Sequence, residues 1–278
     1  MWCCSEGDGN SWPGDTYFST SNWLRGLTYM ANHVSPGRVC RDLLKRFAKA
    51  QSKAVADQSQ GKAWPNLMSM SLRNELRNPT SNKTLASATY DWQHWYTYAK
   101  QGVSAIHTAH ADVLVFLSGL SYDTYMTPIT QGTALTPGNA RFAAADFGPG
   151  VANKLVIELH NYANSATSCA SLQSDLLKNG FDALDAGSKN PFPVMMTEFG
   201  FQMDASTWKG VYASCLQSFL PARKAGWMIW VLAGSYYIRS GKQDYDESWG
   251  LLNHDWSDWR SPSYINGGFI PMIKATLS

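Results

Sequence analysis

Two carboxylates stand where strand-like segments of the sequence end, and residues of this type at such positions could act on an acetal. Glu75 closes the segment Leu72–Glu75, and Glu198 follows the apolar run Pro193–Met196. One carboxyl could protonate a departing oxygen while the other stabilises a cationic carbon, which is the chemistry of glycosidic bond cleavage. Each residue also has a plain structural explanation. Glu75 could begin a helix and be stabilised by its dipole, and Glu198 could simply be solvated at a strand end.

Two further segments bring polar and aromatic side chains to strand ends. His160 and Tyr162 follow the apolar run Leu155–Leu159, and Trp230 leads into an aromatic loop that contains Tyr236. Imidazole and phenol groups supply hydrogen-bond donors, and flat rings suit sugars, whose C–H faces pack on aromatic surfaces. A polar strand cap, or ordinary core packing of a tryptophan, explains any one of these residues taken singly.

The composition favours a neutral ligand. The chain has 278 residues, of which 44% are hydrophobic and only 16% charged, and its formal net charge is +2. Nothing in this balance attracts nucleic acid or an acidic membrane, so we expect neither as a partner. The 12 tryptophans and 13 tyrosines, many beside Gly, Asn and Asp, indicate a binding surface for a saccharide.

Other chemistries lack their motifs. The sequence has no Gly-x-Ser-x-Gly, no phosphate-binding glycine loop, no His-Glu-x-x-His and no Cys-x-x-Cys. His107 and His110 lie on one predicted helix without a second cluster of ligands. We therefore expect no metal and no cofactor.

Five short apolar runs predict the buried parallel strands that would position these residues. They span Asn66–Glu75, Asp112–Gly119, Lys154–Tyr162, Pro193–Gly200 and Gly226–Gly234. Helical patterns alternate with them over Trp92–His110, Ser171–Leu184 and Thr207–Lys224, with a shorter candidate at Pro137–Phe147. Strand alternating with helix predicts an α/β fold with a parallel sheet, in one domain over residues 1–278.

The first 65 residues break this alternation. Met1–Thr16 is rich in Gly, Asp, Asn and Ser, and helical spacing follows over Ser21–His33 and Arg38–Gln58, with no strand before Asn66. A closed α/β barrel needs eight strands, so five strands predict either an open sheet or a barrel that lacks some of its strands.

Signals for the cell compartment point in two directions. The N-terminus Met1–Cys4 lacks the pattern of a signal peptide, whereas Asn82-Lys83-Thr84 is an N-glycosylation acceptor sequence. The chain also contains five cysteines, which are compatible with disulfides in an oxidising compartment. Because five is odd, one thiol is free or pairs with sequence outside this chain.

Taken together, these residues resemble glycoside hydrolase family five, the retaining, cellulase-like (β/α)8-barrel enzymes. Within the family, the resemblance is closest to a fungal and plant subgroup. The motifs that carry it are Arg73–Arg77, His160-x-Tyr162, Thr197–Gly200, Trp230–Arg239, Trp2-Cys3-Cys4 and Gly7–Asn10.

The resemblance implies a role for each candidate residue. Glu75 is the expected acid/base and Glu198 the nucleophile of a retaining double displacement. The expected substrate-binding residues are Asn74 at the sugar 2-hydroxyl, His160 and Tyr162 near the nucleophile, Trp230 beneath the cleaved sugar, and Tyr236 in the aromatic loop. The expected substrate is a β-linked polysaccharide, oligosaccharide or glucoside, and the parent enzyme is expected to be a secreted monomer.

Two family residues have no counterpart, an Arg from the second barrel strand and a His from the third. We therefore expect an incomplete barrel that holds the fourth to eighth strands, and a chain that is poorly stable and weakly active or inactive when it is expressed alone. The alternative is a catalytically inactive carbohydrate-binding protein, or a fragment without function.

Overall fold

The computed structural model describes residues 20–33, 67–78 and 90–278. The predictions for Met1–Thr16, for Arg38–Gln58, for Cys3, Cys4 and Cys40, and for the acceptor sequence at Asn82 lie outside the described residues. The predicted helix at Ser21–His33 is confirmed as α1, Thr20–His33.

A five-stranded sheet forms the centre of the fold in the part of the chain that is described. Its strands follow one another across the sheet in chain order, and β1 pairs in parallel with β2, as β4 does with β5. The strands are β1 (Ser69–Ser71), β2 (Leu114–Ser118), β3 (Leu155–Asn161), β4 (Val194–Phe199) and β5 (Gly226–Trp227). The expected α/β class with five sheet strands is confirmed.

The longer helices follow the predicted pattern, with changes at their ends. They are α2 (Trp92–Ala109), α3 (Cys169–Asn179), α4 (Val211–Ala222) and α5 (Ile270–Leu277). Asp91 and Ser168 cap α2 and α3 by accepting hydrogen bonds from main-chain N–H groups of the first turn. Shorter helical turns lie at Leu120–Asp123, Thr127–Thr130, Ala144–Phe147, Ala152–Lys154, Phe181–Leu184, Thr207–Lys209, Pro262–Tyr264 and Ile265–Phe269.

Three predicted helices are shorter than their sequence patterns. Ser171–Leu184 is divided at Gly180 into α3, which ends at Asn179, and the 3-10 turn Phe181–Leu184. Within Pro137–Phe147 only the 3-10 turn Ala144–Phe147 forms, and Thr207–Lys224 is divided at Gly210 into a 3-10 turn and α4. Gly210 has extended dihedral angles, which interrupt the helical hydrogen bonds.

The sequence patterns did not predict a β-hairpin that follows the sheet. Its strands, β6 (Ser235–Arg239) and β7 (Lys242–Asp246), are antiparallel. Ser240 and Gly241 connect them, and both have positive φ angles, 52° and 75°, as a tight two-residue hairpin turn requires.

The chain divides into two compact units, and the boundary falls within β3. The first unit comprises residues 1–123 and 132–157. In it α1 packs closely on α2, because Gly102 has no side chain: a Cβ there would lie 2.8 Å from the Trp23 ring. The indole N–H of Trp23 donates to the carbonyl of Leu72, at 3.4 Å.

The second unit comprises residues 124–131 and 158–278. A disulfide between Cys169 and Cys215 joins α3 to α4, and the buried rings of Phe181 and Phe219 pack edge to face at 5.4 Å. The expectation of a single domain stays a prediction. Within the described ranges, no helix is both long and apolar enough to cross a membrane.

Candidate active site

Glu75 is fixed through its main chain. It lies four residues beyond β1, because that strand ends at Ser71 rather than running through to Glu75, and its φ is 50°. Its N–H donates to Asp123 Oδ2 at 2.7 Å, and the Arg77 guanidinium donates to its carbonyl at 3.0 Å. No helix begins between Leu76 and Asn78, so a helix dipole at these residues does not account for the carboxylate.

A turn with left-handed backbone angles places Asp123 beside the N–H of Glu75. Ser121, Tyr122 and Asp123 all have φ between 52° and 61°, and Asp123 is fully buried. The Tyr90 hydroxyl accepts from the N–H of Ser121 at 2.6 Å and donates to the carbonyl of Leu76 at 3.3 Å. Burial raises the pKa of Tyr90, so this hydroxyl keeps its proton and the turn stays tied to the segment that contains Glu75.

Glu198 is fixed through its side chain. It is the fifth residue of β4, where the backbone is regular strand. The Tyr162 hydroxyl donates to Glu198 Oε2 at 2.9 Å, and His160 Nδ1 lies 3.6 Å from the same oxygen. The hydrogen bond from Tyr162 favours the ionised carboxylate and restricts its orientation.

A second carboxylate, which sequence reasoning missed, lies behind His160. Glu158 Oε1 is 3.8 Å from His160 Nε2 and accepts from the Thr197 hydroxyl at 2.7 Å. The side chains of Glu158 and His160 are only 8% and 2% exposed. A signal was present in the sequence, because Glu158 is the one charged residue inside the apolar run Leu155–Leu159, and a buried charge needs partners.

The aromatic segment is held close to the end of β4. Trp230 lies three residues beyond β5, which is shorter than the predicted strand Gly226–Gly234. Its N–H donates to the carbonyl of Phe199 at 2.7 Å. Gly200 permits this approach, because a Cβ at that position would lie 2.3 Å from the Trp230 carbonyl oxygen.

An arginine links the two predicted aromatic binding residues. The Arg239 guanidinium lies 4.9 Å from the centroid of the Tyr236 ring and 6.0 Å from that of Trp230. It pairs with the buried carboxylate of Glu247, which also accepts from the N–H of Trp249 at 3.1 Å. Burial, with a smaller contribution from the charge of Glu247, raises the pKa of Tyr236 to about 12.

The structure thus places the predicted residues in local groups. In the second unit it brings Glu198, His160 and Tyr162 together, and it places Trp230 and Tyr236 around one guanidinium. In the first unit Asn74 and Glu75 are adjacent and half-buried. The chemical roles of all seven residues stay predictions.

Comparison with known proteins gives a family match and a relative. The family model described as Cellulase (glycosyl hydrolase family 5) matches residues 45–235. A glycosyl hydrolase 5 family protein of Chamaecyparis obtusa is 30% identical over 278 residues, which cover 95% of this chain and 41% of that protein. The chain therefore spans about two fifths of the length of this relative.

Solved structures are similar in fold at low identity. A β-glucanase from Saccharophagus degradans, determined in complex with cellotetraose, has a TM-score of 0.57 and 13% identity, with 96% of this chain and 64% of that chain covered. The catalytic domain of the major endoglucanase from Xanthomonas campestris pv. campestris has a TM-score of 0.55 and 15% identity, with 99% and 67% covered. These likenesses show the fold alone.

Proposed function

Since the chain belongs to glycosyl hydrolase family 5, as its motifs predicted, we propose that it hydrolyses β-linked glucans by a retaining double displacement. The nucleophile is Glu198 and the acid/base is Glu75. The observation that carries this proposal is the setting of Glu198, whose carboxylate oxygen takes the Tyr162 hydroxyl at 2.9 Å with His160 Nδ1 beside it.

In the first step a carboxylate oxygen of Glu198 bonds to the anomeric carbon while the glycosidic C–O bond breaks. Glu75 donates its proton to the departing oxygen, so the leaving sugar departs as an alcohol. In the second step Glu75 takes a proton from water, the water oxygen bonds to the anomeric carbon, and Glu198 is released as a carboxylate. Tyr162 keeps the attacking carboxylate aligned through both steps.

The remaining predicted residues bind the sugar. Asn74 contacts the 2-hydroxyl, and the rings of Trp230 and Tyr236 offer apolar faces to the sugar ring. A β-glucan is favoured as the substrate because similar folds belong to a β-glucanase in complex with cellotetraose and to an endoglucanase. The Cys169–Cys215 disulfide supports an oxidising, extracellular site of action.

The test compares two variants on two kinds of substrate. Glu198→Ala is expected to abolish release of reducing sugar from β-glucans and from aryl glucosides alike. Glu75→Ala is expected to lose activity on glucans but to keep most of it on aryl glucosides with good leaving groups, because these need no proton. Asp182→Asn, at a partly buried carboxylate with a raised pKa, is the control and should match the wild type.

Two results would contradict the proposal. Equal losses in Glu75→Ala on both kinds of substrate would reject the assigned roles. Wild-type protein that binds insoluble glucan without releasing sugar would instead support a carbohydrate-binding protein that does not cleave its ligand.

A further inference from the structure

Glu158 is a buried charge in an apolar strand. Its side chain is 8% exposed, and both neighbours in β3, Ile157 and Leu159, are buried apolar residues. Burying a carboxylate is unfavourable unless partners compensate for the lost hydration. Two such partners are present, the Thr197 hydroxyl at 2.7 Å and the His160 ring at 3.8 Å.

His160 lies between two carboxylates, with one ring nitrogen toward each. Nε2 is 3.8 Å from Glu158 Oε1, and Nδ1 is 3.6 Å from Glu198 Oε2. A neutral imidazole has one N–H, so its other nitrogen would turn a lone pair toward an anion. A protonated ring presents an N–H to both carboxylates, and it reduces the charge of the three groups from −2 to −1.

From this geometry we infer that Glu158 is a positioning residue that acts through His160 on Glu198. The inference rests on the proposed function of Glu198 as the nucleophile. Glu158 fixes the imidazole and keeps it cationic, and the cationic ring in turn keeps Glu198 ionised and aligned with the Tyr162 hydroxyl. Thr197 precedes Glu198 in β4 and holds Glu158 in place, so the connection runs from β4 to β3 and back to β4.

Kinetics of Glu158→Gln test this inference. Glutamine keeps the shape of the side chain and an oxygen that accepts from Thr197, but it lacks the negative charge. We expect kcat to fall on the order of 10- to 100-fold with KM unchanged, because ground-state contacts to the sugar are not altered. Asp182→Asn again controls for loss of a partly buried carboxylate in the same unit.

A double-mutant cycle distinguishes action through His160 from a general structural effect. If Glu158 acts through the imidazole, Glu158→Gln adds little to the loss already caused by His160→Gln. Full additivity of the two losses in activation free energy would overturn the inference while leaving the proposed function intact. So would an unchanged kcat in Glu158→Gln.

Nitrogen-15 NMR of the His160 ring supplies a readout that does not need activity. We expect both ring nitrogens to be protonated at neutral pH in the wild type, and one of them to lose its proton in Glu158→Gln. An unchanged spectrum would overturn the inference, even if the chain hydrolysed no glucan and the proposed function had failed. If Glu158→Gln does not fold, Glu158→Met replaces it, because an apolar side chain suits the buried strand and also removes the charge, and one ring nitrogen must lose its proton there too.

Discussion

Glu75 follows β1 and Glu198 lies within β4, and the described contacts hold the two glutamates by different parts of the residue. The described contacts of Glu75 fix its backbone, through Asp123 at the N–H and Arg77 at the carbonyl. Those of Glu198 fix its carboxylate, while its backbone is ordinary strand. The contacts of Glu198 suit its proposed role, because a nucleophile must stay ionised and aligned.

The largest effect is expected where the backbone contact of Glu75 is removed. Asp123→Ala deletes the acceptor of the Glu75 N–H and leaves a half-buried donor without its bond. We expect the free energy of unfolding to fall by about 1–3 kcal/mol in urea titrations. Asp123→Asn retains an acceptor oxygen and should lose less. If both variants were as stable as the wild type, the backbone of Glu75 would not depend on this contact.

The next effect concerns the side-chain contact of Glu198, and we expect it chiefly in kcat. Tyr162→Phe removes the hydroxyl that donates to Glu198 and keeps the ring, which packs 5.8 Å from that of Trp249. We expect kcat to fall about 10- to 100-fold, because the carboxylate loses the donor that aligns it. We expect the free energy of unfolding to fall by no more than about 1.5–3 kcal/mol, which is the usual contribution of a hydrogen bond to a charged group. A large loss of stability with unchanged kcat would assign Tyr162 to packing instead.

Glycine substitutions sharpen the comparison, because their effects should have opposite signs. At Glu75, where φ is 50°, Gly should be about 1 kcal/mol more stable than Ala, since Ala is strained in the left-handed region. At Glu198, in regular strand, Gly should be about 0.5–1 kcal/mol less stable than Ala. Urea midpoints of the four variants test this, and equal signs at the two positions would contradict the difference in backbone that we describe.

The continuous apolar strands were predictable from the sequence, and the interrupted ones were not. β2, β3 and β4 agree with their predicted ranges to within one or two residues at each end, because apolar residues such as Val, Leu, Ile and Met begin and dominate each of them. β1 and β5 are shorter than predicted, and polar residues such as Arg73 follow β1. The hairpin was missed because β7, Lys242–Asp246, is polar and mostly exposed.

Residue type identified candidates for the site, but not how they are held. Glu198, His160 and Tyr162 could be predicted because strand ends of a parallel sheet collect functional groups. The left-handed backbone of Glu75 depends on Asp123, which is 48 residues away in the sequence, so no local pattern reveals it. Glu158 was not predicted for a different reason. It lies inside an apolar run, and that run predicts a buried strand, not a functional site.

The smallest effect concerns one tyrosine in each unit, Tyr96, which is buried, and Tyr236, which is half-buried. Burial, with the Asp146 carboxylate that accepts its hydrogen bond at 2.6 Å, raises the pKa of Tyr96 to about 12, and burial with the charge of Glu247 does the same for Tyr236. Tyrosine in an unfolded chain titrates near pH 10, so between about pH 10 and 12 the unfolded state loses protons that the folded state retains. The free energy of unfolding therefore falls as the pH rises through this range. Allowing for solvent screening, we expect less than about 1 kcal/mol from each residue.

We measure tyrosine ionisation by the ultraviolet absorbance of tyrosinate as the pH is raised. In Tyr96→Phe and in Tyr236→Phe, the rise in absorbance near pH 12 should be smaller by the contribution of one tyrosine. Each should also weaken the alkaline loss of stability in urea titrations at fixed pH values. Suppose instead that the absorbance lost in Tyr236→Phe belongs to a group that ionises near pH 10. The Tyr236 ring would then be more hydrated than the structure indicates, with Arg239 and Glu247 beside it. In that case Tyr236 would be less well packed in the second unit than Tyr96 is in the first. The hairpin would then not be what holds the Tyr236 ring in position to bind the sugar.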